Sequence, residues 1–280
     1  MPDAREALRL GDVEGALASL KQEVRKSPRD PRLRTFLFQL FCVTGEWDRA
    51  LTQLTAASEL DALALPMNQA YKACIRCEML RESVFRGERS ATVLGNPGEW
   101  VPLLIEATKL LGTGKPEEAA ALRDRAFDMA PETGGTLNDA PIDWIADADP
   151  RLGPVLEVFL NGNYMWVPYS RLTSLSFDAP ADLRDQVWMP ARFKWDNEGE
   201  AVGFIPTRYP GSAGGDAGLQ LARRTDWVEA GADWSLPLGQ RVLVTDVDET
   251  ALMDVRSLTI TPVATGTPAP ATTPAVAGEG

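Results

Sequence analysis

A repeat with a 34-residue period occupies the first half of the sequence. Residues 11–17 (GDVEGAL) match residues 45–51 (GEWDRAL), and a third copy begins at Gly114. Closing prolines follow the first and third copies. This pattern is typical of tetratricopeptide repeats, in which Gly turns the chain, Ala lets two helices approach and Pro ends the second helix. The sequence therefore predicts an α-helical solenoid over residues 1–135, degenerate in its second copy.

Helix boundary signals agree with this repeat. Asp30 followed by Pro31 is an N-cap with proline at the first helical position. A set of about seven helices is predicted, and the best defined cover residues 31–44, 47–60, 67–85, 97–111 and 116–130. Because each helix pair must bury an apolar stripe against its neighbours, the solenoid has a concave and a convex face.

The sequence changes character near residue 140, where short runs of aromatic and β-branched residues begin. Asp149-Pro150 reads as the cap and first residue of a helix that ends near residue 161. Strand candidates follow at residues 164–167, 172–177, 187–195, 201–205, 226–229, 241–244 and 251–258. The turn residues 196–199 (DNEG) predict a hairpin. The expected fold class is α+β: the solenoid, then a small, mostly antiparallel β domain over residues 141–260 with one leading helix.

Charge and composition exclude several classes of function. The net charge is −12, which disfavours nucleic-acid binding, and there is no His, which removes histidine-based catalysis and metal ligation. The odd count of three Cys suits a reducing compartment. No apolar run is long enough to span a membrane, and the first residues lack a signal peptide, so a cytoplasmic protein is expected. Residues 261–280, rich in Ala, Pro and Thr, are predicted to form a disordered tail.

Two groups of residues could carry chemistry or simply support the fold. Cys74 and Cys77 resemble a redox or zinc motif, but a mid-helix position without a second pair favours buried, unlinked thiols.

Asp143, Asp147 and Asp149 could bind a divalent metal or act with Arg192 in a hydrolase. That enzymatic reading is kept as the alternative, although Asp149 already has a role as a helix cap.

Aromatic and arginine residues lie close to prolines in the second half. Tyr169, Arg192, Arg208 and Tyr209 are of the types that dominate protein–protein interfaces, and they are the predicted partner-binding residues. The competing interpretation is that the large aromatic residues fill a small β core.

The same segments resemble the ImpE family, also called TagJ or SciE-type, which comprises accessory proteins of bacterial type VI secretion systems. The similarity extends from about residue 5 to residue 258. The segments that carry it are residues 33–40 (LRTFLFQL), 71–78 (YKACIRCE), 85–87 (FRG), 144–149 (WIADAD), 151–154 (RLGP), 188–192 (WMPAR) and 205–211 (IPTRYPG).

The resemblance implies a cytoplasmic, non-enzymatic adaptor without cofactors. It further implies that the partner is an N-terminal helix of the small sheath subunit TssB, with a link to the sheath-recycling ATPase ClpV. A chaperone for an unstable partner is a further alternative. The concave face of the repeats and the β domain are both candidate binding surfaces, and we expect the β domain and its junction with the repeats to bind.

Overall fold

The computed structural model describes residues 3–95 and 98–261, and its first half is helical as predicted. The seven helices are α1 (Ala4–Arg9), α2 (Val13–Lys26), α3 (Pro31–Val43), α4 (Trp47–Leu60), α5 (Leu65–Phe85), α6 (Trp100–Gly112) and α7 (Pro116–Met129). Asp30 caps α3, because its carboxylate accepts a hydrogen bond from the backbone N–H of Arg32 at 2.8 Å.

The repeat residues have the structural roles that their pattern predicts. Gly11, Gly45 and Gly114 each follow the first helix of a pair with φ between +71° and +81°, a left-handed conformation that favours glycine. Ala50 and Ala119 are fully buried on α4 and α7, the helices that pack against α3 and α6. A small side chain at these positions lets the two backbones of a pair approach closely.

The second half is dominated by strands, which together with the helices gives the predicted α+β class. The strands are β1 (Thr92–Val93), β2 (Gly135–Leu137), β3 (Ala140–Ile142), β4 (Ile145–Asp147), β5 (Val155–Leu160), β6 (Asn163–Pro168), β7 (Leu172–Ser176), β8 (Trp188–Trp195), β9 (Glu200–Pro206), β10 (Thr225–Glu229), β11 (Ser235–Gly239), β12 (Val242–Thr245), β13 (Glu249–Ala251) and β14 (Ser257–Ile260). A short helix, α8 (Ala217–Gln220), precedes β10.

These strands form one large sheet and two small ones. The large sheet has the order β1-β6-β5-β9-β8-β7-β14-β2-β3, and only the β1–β6 pair in it is parallel. Strands β13-β12-β4 and β10-β11 form the small antiparallel sheets. The hairpin expected at residues 196–199 is confirmed, since it joins β8 to β9 in continuous register from Lys194–Glu200 to Trp188–Pro206.

The leading helix predicted after Asp149 is wrong. The chain makes a tight turn at residues 150–153, where the Asp149 carboxylate accepts from the backbone N–H of Arg151, and then enters β5. All six residues of β5 are buried, because β6 and β9 flank it and both of its faces are covered. A strand buried on both faces has no polar alternation, so its short apolar run cannot be told from a helix by periodicity.

The helical and β-rich parts share a hydrophobic cluster. Leu20, Phe38 and Leu54 of the helices belong to the same cluster as Trp166 and Trp188 of the sheet. A second cluster lies within the β-rich part.

None of the helices in the described ranges is long and apolar enough to cross a membrane. The predicted tail falls almost entirely at residues 262–280, outside the described part of the chain.

Candidate functional site

Helix α5 and strand β5 are joined by a buried ion pair at the centre of the molecule. Nε and Nη2 of Arg81 donate to the two carboxylate oxygens of Glu157, each at 2.8 Å. Nη2 also donates to the carbonyl oxygen of Arg208 at 2.9 Å, and Nη1 contacts Glu78 at 3.3 Å. Arg81 and Glu157 are 3% and 0% exposed, so this contact is shielded from bulk solvent.

A second arginine extends this pair into a network. Arg241 donates to the carboxylates of both Glu157 and Asp147 and to the carbonyl oxygen of Pro206. The Tyr164 hydroxyl donates to Glu157 at 2.6 Å. The Tyr209 hydroxyl donates to Asp147 at 3.1 Å. We call Glu78, Arg81, Asp147, Glu157 and Arg241 the junction network.

The two carboxylates at the centre of this network have opposite pKa shifts. Burial acts to raise the pKa of Glu157, but the charges of Arg81 and Arg241 outweigh it and hold the pKa at about 2. Burial raises the pKa of Asp147 to about 6, because Arg241 only partly offsets the desolvation. Their partners are internal to the protein, and this arrangement ties the helical part to the sheet.

The acidic residues of the enzymatic alternative do not converge on a site. Asp147 belongs to the junction network, while the Asp149 carboxylate is held by the Arg151 side chain and backbone N–H. Asp143 is exposed, and its backbone N–H donates to Asp246. Among the described residues, no group of three or more His, Cys, Asp or Glu is arranged to hold a metal ion. The structure offers no support for the alternative.

Three of the four predicted partner-binding residues are interior, so the expectation that they share an exposed surface is wrong. Tyr169 and Tyr209 are 0% and 1% exposed. Arg208 is also buried, and its guanidinium donates to the carbonyl oxygens of Val43, Cys42 and Gln220 at 2.6 to 3.1 Å. Because Val43 ends α3, Arg208 satisfies carbonyls at the C-terminus of that helix.

Arg192 alone among the four is on the surface, where it pairs with Asp178 at 2.7 Å. A partner role for Arg192 remains a prediction.

The competing core interpretation describes the tryptophans well, because Trp166 and Trp188 are fully buried. The indole N–H of Trp166 donates to Tyr164, and that of Trp188 donates to Glu78. Nothing in the local sequence separates a buried arginine from an exposed one.

Cys42, Cys74 and Cys77 are buried and unlinked, as the sequence predicts. Burial raises the pKa of Cys42 and Cys74 well above that of a free thiol, and it raises the pKa of Cys77 to about 12. The thiols are therefore protonated and poor nucleophiles at neutral pH.

A groove of about 540 Å³ lies where the first helices meet the β-rich part. We call it the junction groove. Its wall from the helices includes Leu8 of α1 and Phe36 of α3, and its opposite wall includes Leu183. The groove is lined by Arg5, Leu8, Pro31, Arg32, Thr35, Phe36, Gln39, Asp61, Ala64, Ala181, Asp182 and Leu183.

Residues distant in sequence hold the two walls of the junction groove together. The Gln39 amide donates to the Asp182 carboxylate at 3.0 Å, across 143 positions of the chain. Arg184 lies over the ring of Tyr71, 4.7 Å from its centroid, and donates to Asp182 at 2.8 Å. The sequence pointed to the junction of the repeats with the β domain, but none of the four predicted partner-binding residues lines this groove. The lining residues were missed because one wall comes from α3 and the other from a segment distant in the sequence.

Comparisons with known proteins agree with this architecture. The family model described as ImpE protein matches residues 139–259. A Pseudomonas aeruginosa protein, the type VI secretion system accessory component TagJ, is 48% identical over 260 residues, which are 92% of this chain and 91% of that protein. The crystal structure of a Vibrio parahaemolyticus protein superposes with a TM-score of 0.85 at 27% identity, covering 92% of this chain and 97% of that one. The chain therefore belongs to the ImpE/TagJ family of type VI secretion system accessory proteins.

Proposed function

We propose that this protein is a non-enzymatic adaptor that binds an amphipathic helix of the small, TssB-like sheath subunit in the junction groove. The observation that carries the proposal is the groove itself. It offers an apolar centre between α1, α3 and residues 181–183, flanked by charged side chains of both signs. An amphipathic helix binds such a groove through apolar side chains at positions i, i+3, i+4 and i+7.

The residues of the groove divide into an apolar floor and a charged rim. Leu8, Phe36 and Leu183 offer apolar surface, and the Arg5 guanidinium lies 5.9 Å from the centroid of the Phe36 ring. Asp61 and Asp182 add negative charges to the rim. Charged groups at a rim contribute mainly register and orientation, while the apolar anchors contribute most of the affinity.

The relative from Pseudomonas aeruginosa supports a secretion role, since it is named an accessory component of the type VI system. In the proposal, the sheath helix is the primary ligand and the ClpV ATPase is a second partner, engaged through a surface outside the junction groove. Both partners place the protein in the cytoplasm. In the proposal the junction network has a structural role, because its carboxylates are paired within the protein.

Calorimetry with a synthetic peptide of the TssB N-terminal helix tests this proposal. Ala64→Trp places a large side chain in the groove and should weaken binding at least tenfold, about 1.4 kcal/mol. Ala62→Trp is the matched control, because Ala62 is exposed two residues earlier and does not line the groove. We expect the control to bind like the unchanged protein. Equal affinity of both variants, with circular dichroism showing both folded, would remove the junction groove as the site.

A further inference from the structure

A second groove lies on the opposite face of α3. It has a volume of about 430 Å³ and is lined by Lys21, Val24, Arg25, Arg34, Leu37, Phe41, Arg49, Thr52 and Gln53 of helices α2, α3 and α4. On α3 the junction groove uses Arg32, Phe36 and Gln39, whereas this groove uses Arg34, Leu37 and Phe41. At 3.6 residues per turn these two sets point in opposite directions. We call this second site the basic groove.

The basic groove brings four cationic side chains together without an acidic one. Lys21, Arg25, Arg34 and Arg49 line it, and none of its lining residues is Asp or Glu. Arg49 pairs with Glu46, which lies outside the groove. Within residues 3–95 and 98–261, Lys21, Arg25 and Arg34 have no carboxylate within 4 Å. Their positive charges are therefore not neutralised by the fold.

Neutral groups contact three of the four cations, Arg34, Lys21 and Arg49. The guanidinium of Arg34 donates to the carbonyl oxygen of Pro28 at 3.2 and 3.0 Å and to the side-chain oxygen of Gln53 at 2.8 Å. Lys21 and Arg49 both lie over the ring of Phe41, at 5.4 and 5.8 Å from its centroid. Cation–π contacts at this distance orient a cation while leaving its charge available.

This arrangement contrasts with the chain as a whole, whose net charge is −12. Some exposed arginines elsewhere, such as Arg86 and Arg224, pair with carboxylates, while others in the described ranges, such as Arg5 and Arg76, have none within 4 Å. The basic groove is distinguished by four cations that line one groove without an acidic lining residue. A concentration of like charges on one surface raises the free energy of the folded protein and attracts ligands of the opposite sign. The basic groove is thus a local cationic site on an acidic protein.

We infer that the basic groove binds an acidic segment of a partner protein, with at least two of its carboxylates on the cations that line the groove. Arg25 is suited to a carboxylate because a guanidinium can donate two parallel hydrogen bonds. The cations come from three different helices, which favours a peptide with several carboxylates over a single phosphate ion. The negative charge of the whole chain disfavours a nucleic acid, whose phosphates extend well beyond one groove. This inference goes beyond the proposed function, because it concerns another groove and another partner segment.

Fluorescence anisotropy with a labelled synthetic peptide of Glu and Leu at helical spacing tests the inference. The comparison peptide carries Gln in place of every Glu. Lys21→Glu combined with Arg25→Glu reverses two charges in the groove at side chains that make no hydrogen bonds among the described residues. Lys26→Glu combined with Arg29→Glu is the matched control, since it changes the net charge equally at neighbouring exposed positions outside the groove.

We expect the groove variant to bind the Glu peptide at least about tenfold more weakly and the control variant to bind it within about twofold of the unchanged protein. The Gln peptide should bind no better to the unchanged protein than to the groove variant. No saturable binding of the Glu peptide, or equal weakening by both double variants, would overturn the inference. Displacement of the peptide by inorganic phosphate or by an oligonucleotide at equal charge concentration would also overturn it. So would a dimer in sedimentation that the groove variant abolishes, because the occupant would then be a second copy of the chain.

Discussion

Arg81 of α5 and Glu157 of β5 meet through two hydrogen bonds of 2.8 Å, although 76 positions separate them in the sequence. Both side chains are buried, and each has further partners in the junction network. The pair fixes the first half of the chain against the sheet in one orientation. That orientation also places residues 181–183 opposite α1 and α3, where they complete the junction groove.

Removing Arg81 should therefore be strongly destabilising. Arg81→Ala leaves Glu157 with one of its two arginines and the Arg208 carbonyl without this donor, and we expect a loss of about 3–5 kcal/mol in the free energy of unfolding. Arg81→Lys should recover little of this, because an ammonium group cannot donate two parallel hydrogen bonds. Urea denaturation is the measurement. Arg86→Ala, at an exposed arginine just after α5, is the control and should leave the midpoint unchanged.

Glu157 should make stability depend on acid pH in a defined direction. Its pKa in the folded state is about 2, below its ordinary value of 4.5, so its stabilising effect is complete above pH 4.5. That effect is lost as the pH falls from 4.5 toward 2. The difference in unfolding free energy between the unchanged protein and Glu157→Gln should shrink over this range by about 3 kcal/mol. Parallel pH curves for the two proteins would contradict the assignment.

The repeat alanines should tolerate no larger side chain. Ala50→Leu inserts three heavy atoms where α3 and α4 cross, and we expect it to cost about 1–3 kcal/mol. Ala18→Leu, at an exposed position of α2, is the matched substitution and should stay within about 0.5 kcal/mol of the unchanged protein. The measurement is the melting temperature of both variants. Equal melting temperatures would show that the α3–α4 crossing accommodates a leucine side chain.

The three thiols should be unreactive in the folded protein. Cys42, Cys74 and Cys77 are buried, and burial raises the pKa of each, so few thiolates form at mildly alkaline pH. A thiol-reactive disulfide reagent should label no cysteine in buffer and all three in denaturant. Rapid labelling of the folded protein, or stoichiometric zinc in elemental analysis, would contradict this description.

Arg192 and Arg208 should respond differently to the same substitution. Arg208→Ala removes donors to three backbone carbonyls, two of them at the end of α3, and should destabilise the protein by about 2 kcal/mol or more. Arg192→Ala breaks an exposed pair and should leave stability unchanged. Denaturation curves measure both effects. Binding of the TssB peptide by the Arg192 variant then tests the predicted role of this surface, free of any folding defect.

The helical half could be read from the sequence because its determinants are local. A glycine that turns the chain, a small alanine and a closing proline each act within one helix pair, and their 34-residue spacing identifies the pair. The hairpin at residues 196–199 is local in the same sense. Strand β5 could not be identified this way. Its six buried residues form a strand because β6 and β9 pair with it on either side. The local sequence of β5 does not show that pairing.

The site depends even more on distant contacts. Residue type suggested that Arg208 and Tyr209 bind a partner, but the same side chains suit an interface and a core equally well. Arg208 is buried because it donates hydrogen bonds to the terminal carbonyls of α3. Tyr209 is buried because its hydroxyl donates a hydrogen bond to Asp147. The sequence by itself determined the helices of the first half and where they turn, since hydrogen bonds and backbone preferences act between near neighbours. Only the tertiary structure decided which charges are buried and which grooves exist, because burial depends on segments that are distant in the sequence, as Arg81 and Glu157 are by 76 positions.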